Sequence, residues 1–237
     1  MRFDAVAFDL DGTLYPSLSL YIHALPIMLG KLRELGAFNY TRRQLRASAS
    51  REGIESTCLA FRARDTPKDP RSACLVFRAR ENDLFAERMG IAVPEAAAMI
   101  ERDFYRGVEE LFSRIKPFRG LKTALDTIAA SGLRLGLLSD LPPHRKLELL
   151  GLSGRFDPAL CSEDSGFLKP AEEPFEMLAS RLGLRRDRIL YVGNSPSIDV
   201  AGAKRAGMSA AIISLRRVEG ADLSFFSWRR LAEFATS

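Results

Sequence analysis

From Phe118 onward the chain alternates between short apolar runs of strand length and amphipathic stretches of helix length, and this limits the fold more than any other feature. Helices are predicted at 121–131, 143–150, 172–182 and 198–206, each followed by a glycine (Gly132, Gly151, Gly183, Gly207) placed to cap it. Strands are predicted between them at 134–138, 159–161, 189–192 and 210–213. Such an alternation requires right-handed crossovers, and therefore a mostly parallel sheet with helices on both faces.

One more apolar run, Ala5 to Phe8, predicts a strand over 4–9. About a hundred residues separate it from the later series, too many for a simple connection, so residues 17–117 are expected to form a domain inserted into a core made of 1–16 and 118–237. Within the insert, 21–35 reads as a helix strained by Pro26. Thr41 and Gln44 form a capping box leading into a helix with Leu45 and Ala49. Pro94 opens a further helix through Phe104. The insert also holds a short repeat, in which Cys58 to Arg64 (CLAFRAR) recurs as Cys74 to Arg80 (CLVFRAR). Periodicity does not decide between two helices and two strands of a hairpin; either way, Leu and Phe side chains are expected to pack and the arginines to face solvent.

The run Ala5 to Phe8 leads straight into Asp9, Leu10, Asp11, Gly12 and Thr13. Ligands of open α/β sheets bind at the carboxyl ends of strands, and two carboxylates there attract a divalent cation. One carboxylate can then attack an anionic phosphate while the other serves as acid and base. Taken alone, an acidic pair followed by glycine also describes an ordinary turn. Three later segments have matching character: Leu135 to Leu138 ends in Ser139 and Asp140, Gly166 to Pro170 presents Lys169, and Ile189 to Val192 ends in Gly193, Asn194, Ser195 and then Asp199. In this order the four segments resemble the motifs of the haloacid dehalogenase superfamily of phosphohydrolases, and the helical insert resembles its type-1 cap.

The resemblance implies a Rossmann-like α/β core and a Mg²⁺-dependent phosphatase of a small phosphorylated metabolite. In that reading Asp9 is the nucleophile that forms an aspartyl-phosphate, and Asp11 protonates the leaving alcohol and later activates water. Ser139, Lys169, Gly12, Thr13 and Asp140 are the implied phosphate-binding residues. Asp9, Asp11 through its carbonyl, Asn194 and Asp199 are the implied metal-site residues, Asp199 from an outer position that orients Lys169. The cap is expected to close over the site on hinges near residues 15–17 and 116–120. One or more of Arg62, Arg64, Arg78 and Arg80 is a candidate for binding an anionic part of the leaving group.

Two residues depart from the family pattern. Asn194 stands where an aspartate is usual, which removes one negative charge from the metal site and should weaken Mg²⁺ binding. Asp140 stands where many relatives carry asparagine; capping of the helix near Pro143 is the preferred explanation. Two alternatives remain open: a catalytically impaired binding or regulatory protein on the same fold, and a phosphomutase. A haloalkanoate dehalogenase is disfavoured by Asp11.

Bulk properties bound the setting. The chain has 237 residues, a net charge of +5, and three cysteines without metal-ligand spacing, consistent with free thiols in a reducing cytosol. The excess of positive charge comes without a zinc-finger or RNA-binding motif, so nucleic acid is not the expected partner. The N-terminal residues carry no leader pattern, and no apolar run approaches the ~20 residues of a membrane span. The expectation is a cytoplasmic protein.

Overall fold

The structure is a computed structural model that describes residues 2–49, 69–107, 112 and 114–237. Six parallel strands form one sheet in the order β3-β2-β1-β4-β5-β6, namely β1 (Ala5–Phe8), β2 (Arg134–Ser139), β3 (Ala159–Cys161), β4 (Ile189–Gly193), β5 (Ser209–Ile213) and β6 (Leu223–Phe225). β1 and β4 form the centre of the sheet, and every residue of both is buried. Val6 and Phe8 enter one core layer, while Ala5 and Ala7 enter the other, as the period-two geometry of a strand requires.

Among the described residues, four α-helices lie between β1 and the rest of the sheet: α1 (Ser17–Leu29), α2 (Leu32–Ala49), α3 (Pro70–Met89) and α4 (Val93–Ile100), the last continuing as a π-helical turn over Glu101–Arg106. The core helices are α5 (Leu121–Ala130), α6 (His144–Leu149), α7 (Glu172–Leu182), α8 (Ala201–Arg205) and α9 (Trp228–Thr236). Helices α5 and α9 cover the Val6/Phe8 face through Leu121, Leu125, Ile128, Trp228 and Leu231. The Ala5/Ala7 face is covered by α7 and α8 through Phe175, Leu178 and Ala203. The alternation read from the sequence therefore reports the fold correctly, and it omits β6 and α9.

The insert differs from expectation in three places. The first helix extends through Pro26 and stops at Leu29, so the break falls at Gly30 and not at the proline. Thr41 does not start a helix; it lies buried inside the continuous α2, and among the described residues its hydroxyl has no hydrogen-bond partner. The second copy of the repeat is helical, within α3, with Phe77 buried but Leu75 exposed and Arg78 turned inward. The first copy, Cys58 to Arg64, lies outside the described residues. Pro94 does sit in the first turn of α4.

The helices of the insert have their own apolar cluster, in which Phe38 stacks on Phe104 with ring centroids 4.0 Å apart and Phe85, Met89 and Ile100 are buried. Leu45 and Phe77 pack instead on Leu168, beside Lys169. The insert is thereby seated on the edge of the sheet where the acidic motif emerges. Its entrance and exit are also joined, since the Phe118 N–H donates to the Leu14 carbonyl at 3.0 Å. Cys74 and Cys161 are free thiols, and among the described residues no helix is long and apolar enough to cross a membrane.

Candidate active site

Register determines which residues meet. Phe8 is paired with Leu137 on one side and Val192 on the other, and the Asp9 N–H continues the ladder to the Val192 carbonyl at 2.8 Å. Asp9 and Asn194, which follow β1 and β4, and Ser139, the last residue of β2, therefore emerge at one edge.

Asp9 is buried, and both of its oxygens are engaged. Oδ2 accepts from the Thr13 hydroxyl at 2.8 Å and Oδ1 from Lys169 Nζ at 2.7 Å. Burial pushes the Asp9 carboxyl up to about 7, against the pull of Lys169 and with further upward pressure from Asp199 and Asp11. The Lys169 ammonium also donates to Asp199 Oδ1 at 2.8 Å and to the Tyr191 hydroxyl at 3.0 Å. Burial alone would lower the Lys169 pKa, but Asp199 and Asp9 together hold it well above the usual lysine value. Its charged state is thus secure.

Asp199 is nearly inaccessible, and its second oxygen accepts the N–H groups of Asn194 and Ser195 at 3.0 and 2.9 Å. With one oxygen on Lys169 and the other on two amides, it ties the lysine to the turn after β4. Gly193 makes the turn possible, because a Cβ there would come within 2.3 Å of the Asp199 side chain.

Gly12 has φ +84°, and an added Cβ would lie 2.1 Å from Asn194 Nδ2 and 2.3 Å from the Ser17 hydroxyl. The two loops are in close approach here, and the Asn194 amide group lies 3.3 Å from the Asp11 carbonyl oxygen. Among the described residues no three acidic, histidine or cysteine side chains converge as a metal set. The donors at hand are one carboxylate (Asp9), one main-chain carbonyl (Asp11) and one amide (Asn194), all hard oxygen ligands once the amide turns its oxygen inward. This set fits a Mg²⁺ ion that keeps waters and takes substrate oxygens.

Ser139 is buried at the end of β2, where its hydroxyl accepts the Leu141 N–H at 3.3 Å. Asp140 does not cap a helix, and α6 begins with no side-chain cap. Instead, Oδ1 accepts the Lys169 N–H at 3.2 Å and Oδ2 accepts Arg46 Nη2 at 2.8 Å. Burial works against the Asp140 charge, yet Lys169, Arg46 and Arg42 hold its pKa below the usual carboxylate value.

Several residues at this edge were missed in the sequence. Lys146 Nζ lies 2.8 and 2.7 Å from the two oxygens of Asp11, and the buried Tyr15 hydroxyl donates to Asp11 Oδ1 at 2.6 Å. Tyr191 sits under Lys169. From α2, Arg46 reaches the Lys169 carbonyl at 3.0 Å and Arg42 reaches the Asp140 carbonyl. Of the four arginines singled out beforehand, Arg78 binds Glu163 of the core at 3.2 Å, so its inward face is engaged within the protein. Arg62 and Arg64 lie outside the described residues.

Residues 3–207 match the family described as haloacid dehalogenase-like hydrolase. A glyceraldehyde 3-phosphate phosphatase of Methanopyrus kandleri is 30% identical over 226 residues, which cover 92% of this chain and 86% of the relative. A protein of the same name from Methanothermobacter thermautotrophicus is 33% identical over 111 residues, 46% of this chain and about half (49%) of its own length. Among solved structures, the magnesium-bound hydrolase YfnB of Bacillus subtilis superposes with a TM-score of 0.63 at 16% identity, covering all of both chains. The solved structure shares the fold over its whole length, and the family match, reaching from the first strand past the turn after β4, places this chain in the haloacid dehalogenase-like hydrolases.

Proposed function

We propose that this hydrolase is a phosphatase of small phosphorylated metabolites, working through an aspartyl-phosphate on Asp9, with residues 17–117 acting as its cap. The observation that carries the reading is the different treatment of the two aspartates. Asp9 is dry and held at both oxygens, as a nucleophile that must present one fixed atom requires. Asp11 stands two residues on with a side chain about one-third exposed, open to the leaving group and to water. Mg²⁺ bound by Asp9, the Asp11 carbonyl and Asn194 would neutralise phosphate charge. Lys169 supplies a second, permanent positive charge beside the attacking oxygen, and Asp199 and Tyr191 keep it there.

In the first half-reaction an Asp9 oxygen forms a bond to phosphorus as the bond to the leaving oxygen breaks, and Asp11 delivers a proton to that oxygen. In the second, Asp11 takes a proton from water, which attacks the same phosphorus and releases Asp9. The insert, seated over this edge through Leu45, Phe77 and Arg46, excludes bulk water and selects the leaving group. The test is hydrolysis of p-nitrophenyl phosphate, glyceraldehyde 3-phosphate, phosphoglycolate and pyrophosphate with Mg²⁺ and after chelation. Turnover that disappears on chelation supports the reading. Phosphate binding without turnover of any of them would favour the regulatory alternative that Asn194 raises.

Two expected outcomes examine individual residues. Asn194→Asp adds a carboxylate to a site with one, so Mg²⁺ should saturate activity at lower concentration; identical metal titrations would remove residue 194 from the ligand set. Asp199→Ala releases Lys169 and the Asn194 and Ser195 amides together, so affinity for inorganic phosphate and turnover should fall in parallel. A loss confined to the metal requirement would instead make Asp199 a direct ligand.

A further inference from the structure

Lys146 has no place in the motif set, yet it occupies the neighbourhood of the acid–base aspartate. It stands in the first turn of the short helix α6, and its side chain is only 10% exposed. Its ammonium spans both Asp11 oxygens, at 2.8 and 2.7 Å, and lies 5.2 Å from the centroid of the Phe112 ring. Tyr15, fully buried and packed edge-on against the same Phe112, also donates to Asp11 Oδ1, at 2.6 Å. Three donor contacts thus converge on one carboxylate that sits in a tight turn and is otherwise open to solvent.

An exposed lysine–aspartate pair would mean little. This lysine is largely desolvated, which costs free energy that a methionine of similar length would not incur. The expense is matched by a specific result: Asp11 is held in one rotamer. An acid–base group must lie within hydrogen-bond reach of the leaving oxygen, and a loop aspartate without such contacts would sample several rotamers.

We propose that Lys146, with Tyr15, is a positioning residue that fixes the Asp11 carboxylate for proton transfer. The inference rests on the phosphatase reading and on Asp11 as its acid and base. Lys146 itself transfers no proton. The proton passes from Asp11 to the leaving oxygen as the O–P bond breaks. Asp9 and Asp11 accordingly each have their own lysine, Lys169 for the nucleophile and Lys146 for the acid.

The experiment compares wild type, Lys146→Met, Lys146→Arg, Asp11→Asn and the Asp11→Asn/Lys146→Met double variant. The measured quantities are kcat/KM for an aryl and an alkyl phosphate, which reports steps up to departure of the alcohol, and affinity for inorganic phosphate by calorimetry. Lys146→Met should lower kcat/KM about 10-fold or more for the alkyl phosphate and less than about 3-fold for the aryl phosphate, whose leaving group needs little protonation. Affinity for inorganic phosphate should be unchanged, Lys146→Arg should recover part of the loss, and the double variant should be no worse than Asp11→Asn. Equal losses for both substrates, weakened phosphate binding, or full additivity with Asp11→Asn would overturn the proposal. If Asp11→Asn itself lacks the leaving-group signature, the acid–base reading fails first; if it shows the signature and Lys146→Met does not, only the role of Lys146 falls. Should Lys146→Met not fold by circular dichroism, Lys146→Gln carries the same comparison.

Discussion

Asp9→Asn should reduce phosphatase turnover below roughly one-thousandth of wild type, because the amide removes the attacking oxygen while keeping the volume. The surroundings can absorb the change. The asparagine oxygen can continue to accept from Lys169, and its amide can face Thr13, whose hydroxyl rotates from donor to acceptor. Lys169 keeps Asp199 as its counter-charge. The wild-type carboxylate is expensive to bury, as its raised pKa shows, so the thermal midpoint should be unchanged or higher. Activity assays and melting curves on the same preparation check both halves. Retention of more than about 1% of activity, in protein whose intact mass excludes deamidation, would remove Asp9 as nucleophile. A collapsed midpoint would make it structural.

That experiment concerns the part of the molecule most legible in the sequence. Parallel strands buried on both faces read as apolar runs, and their ends are marked by the change to polar residues, so the positions of Asp9, Ser139 and Asn194 follow from pattern alone. The last strand and helix were less visible. Leu223–Phe225 is only three residues long, too short for periodicity to register.

Lys146, Tyr15, Tyr191, Arg42 and Arg46 were missed for a different reason. All but Tyr15, which stands in the bend before α1, lie on regular elements, where a lone lysine, tyrosine or arginine is ordinarily surface or core. Their role comes from tertiary placement: α6 starts close to the Asp11 turn, and α2 crosses the edge of the sheet. A signal did exist for Lys146, because a helix beginning five residues after a strand-end serine must point its first turn at that edge. Arg42 had only the misleading company of Thr41 and Gln44, whose spacing imitates a capping box inside a continuous helix.

Arg42 carries the second large expectation. Its side chain is 5% exposed, and Nη1 donates to Glu81 Oε1 at 2.9 Å within the insert and to Glu163 Oε1 at 2.8 Å in the core. The Tyr105 hydroxyl lies 2.8 Å from Glu81 Oε2 and 2.7 Å from Glu163 Oε1, and donates to one at a time. Both glutamates are essentially inaccessible, and burial pushes the Glu81 carboxyl up even with Arg42 beside it. Among the described residues, removing the guanidinium leaves Glu81 without a cation and Glu163 with Arg78 alone. Arg42→Met should therefore cost about 3–5 kcal/mol, the usual penalty for breaking a buried ion pair from one side. Urea unfolding measures it, and adding Glu81→Gln and Glu163→Gln to the same chain should restore much of the loss, because the penalty belongs to the stranded charges and not to the missing contact. Turnover should fall as well, since Arg42 also holds the Asp140 carbonyl and Asp140 holds the Lys169 main chain. A loss below about 1 kcal/mol would mean that water reaches these glutamates in solution, and hence that α2 and α3 do not rest on Glu163 as the structure has them.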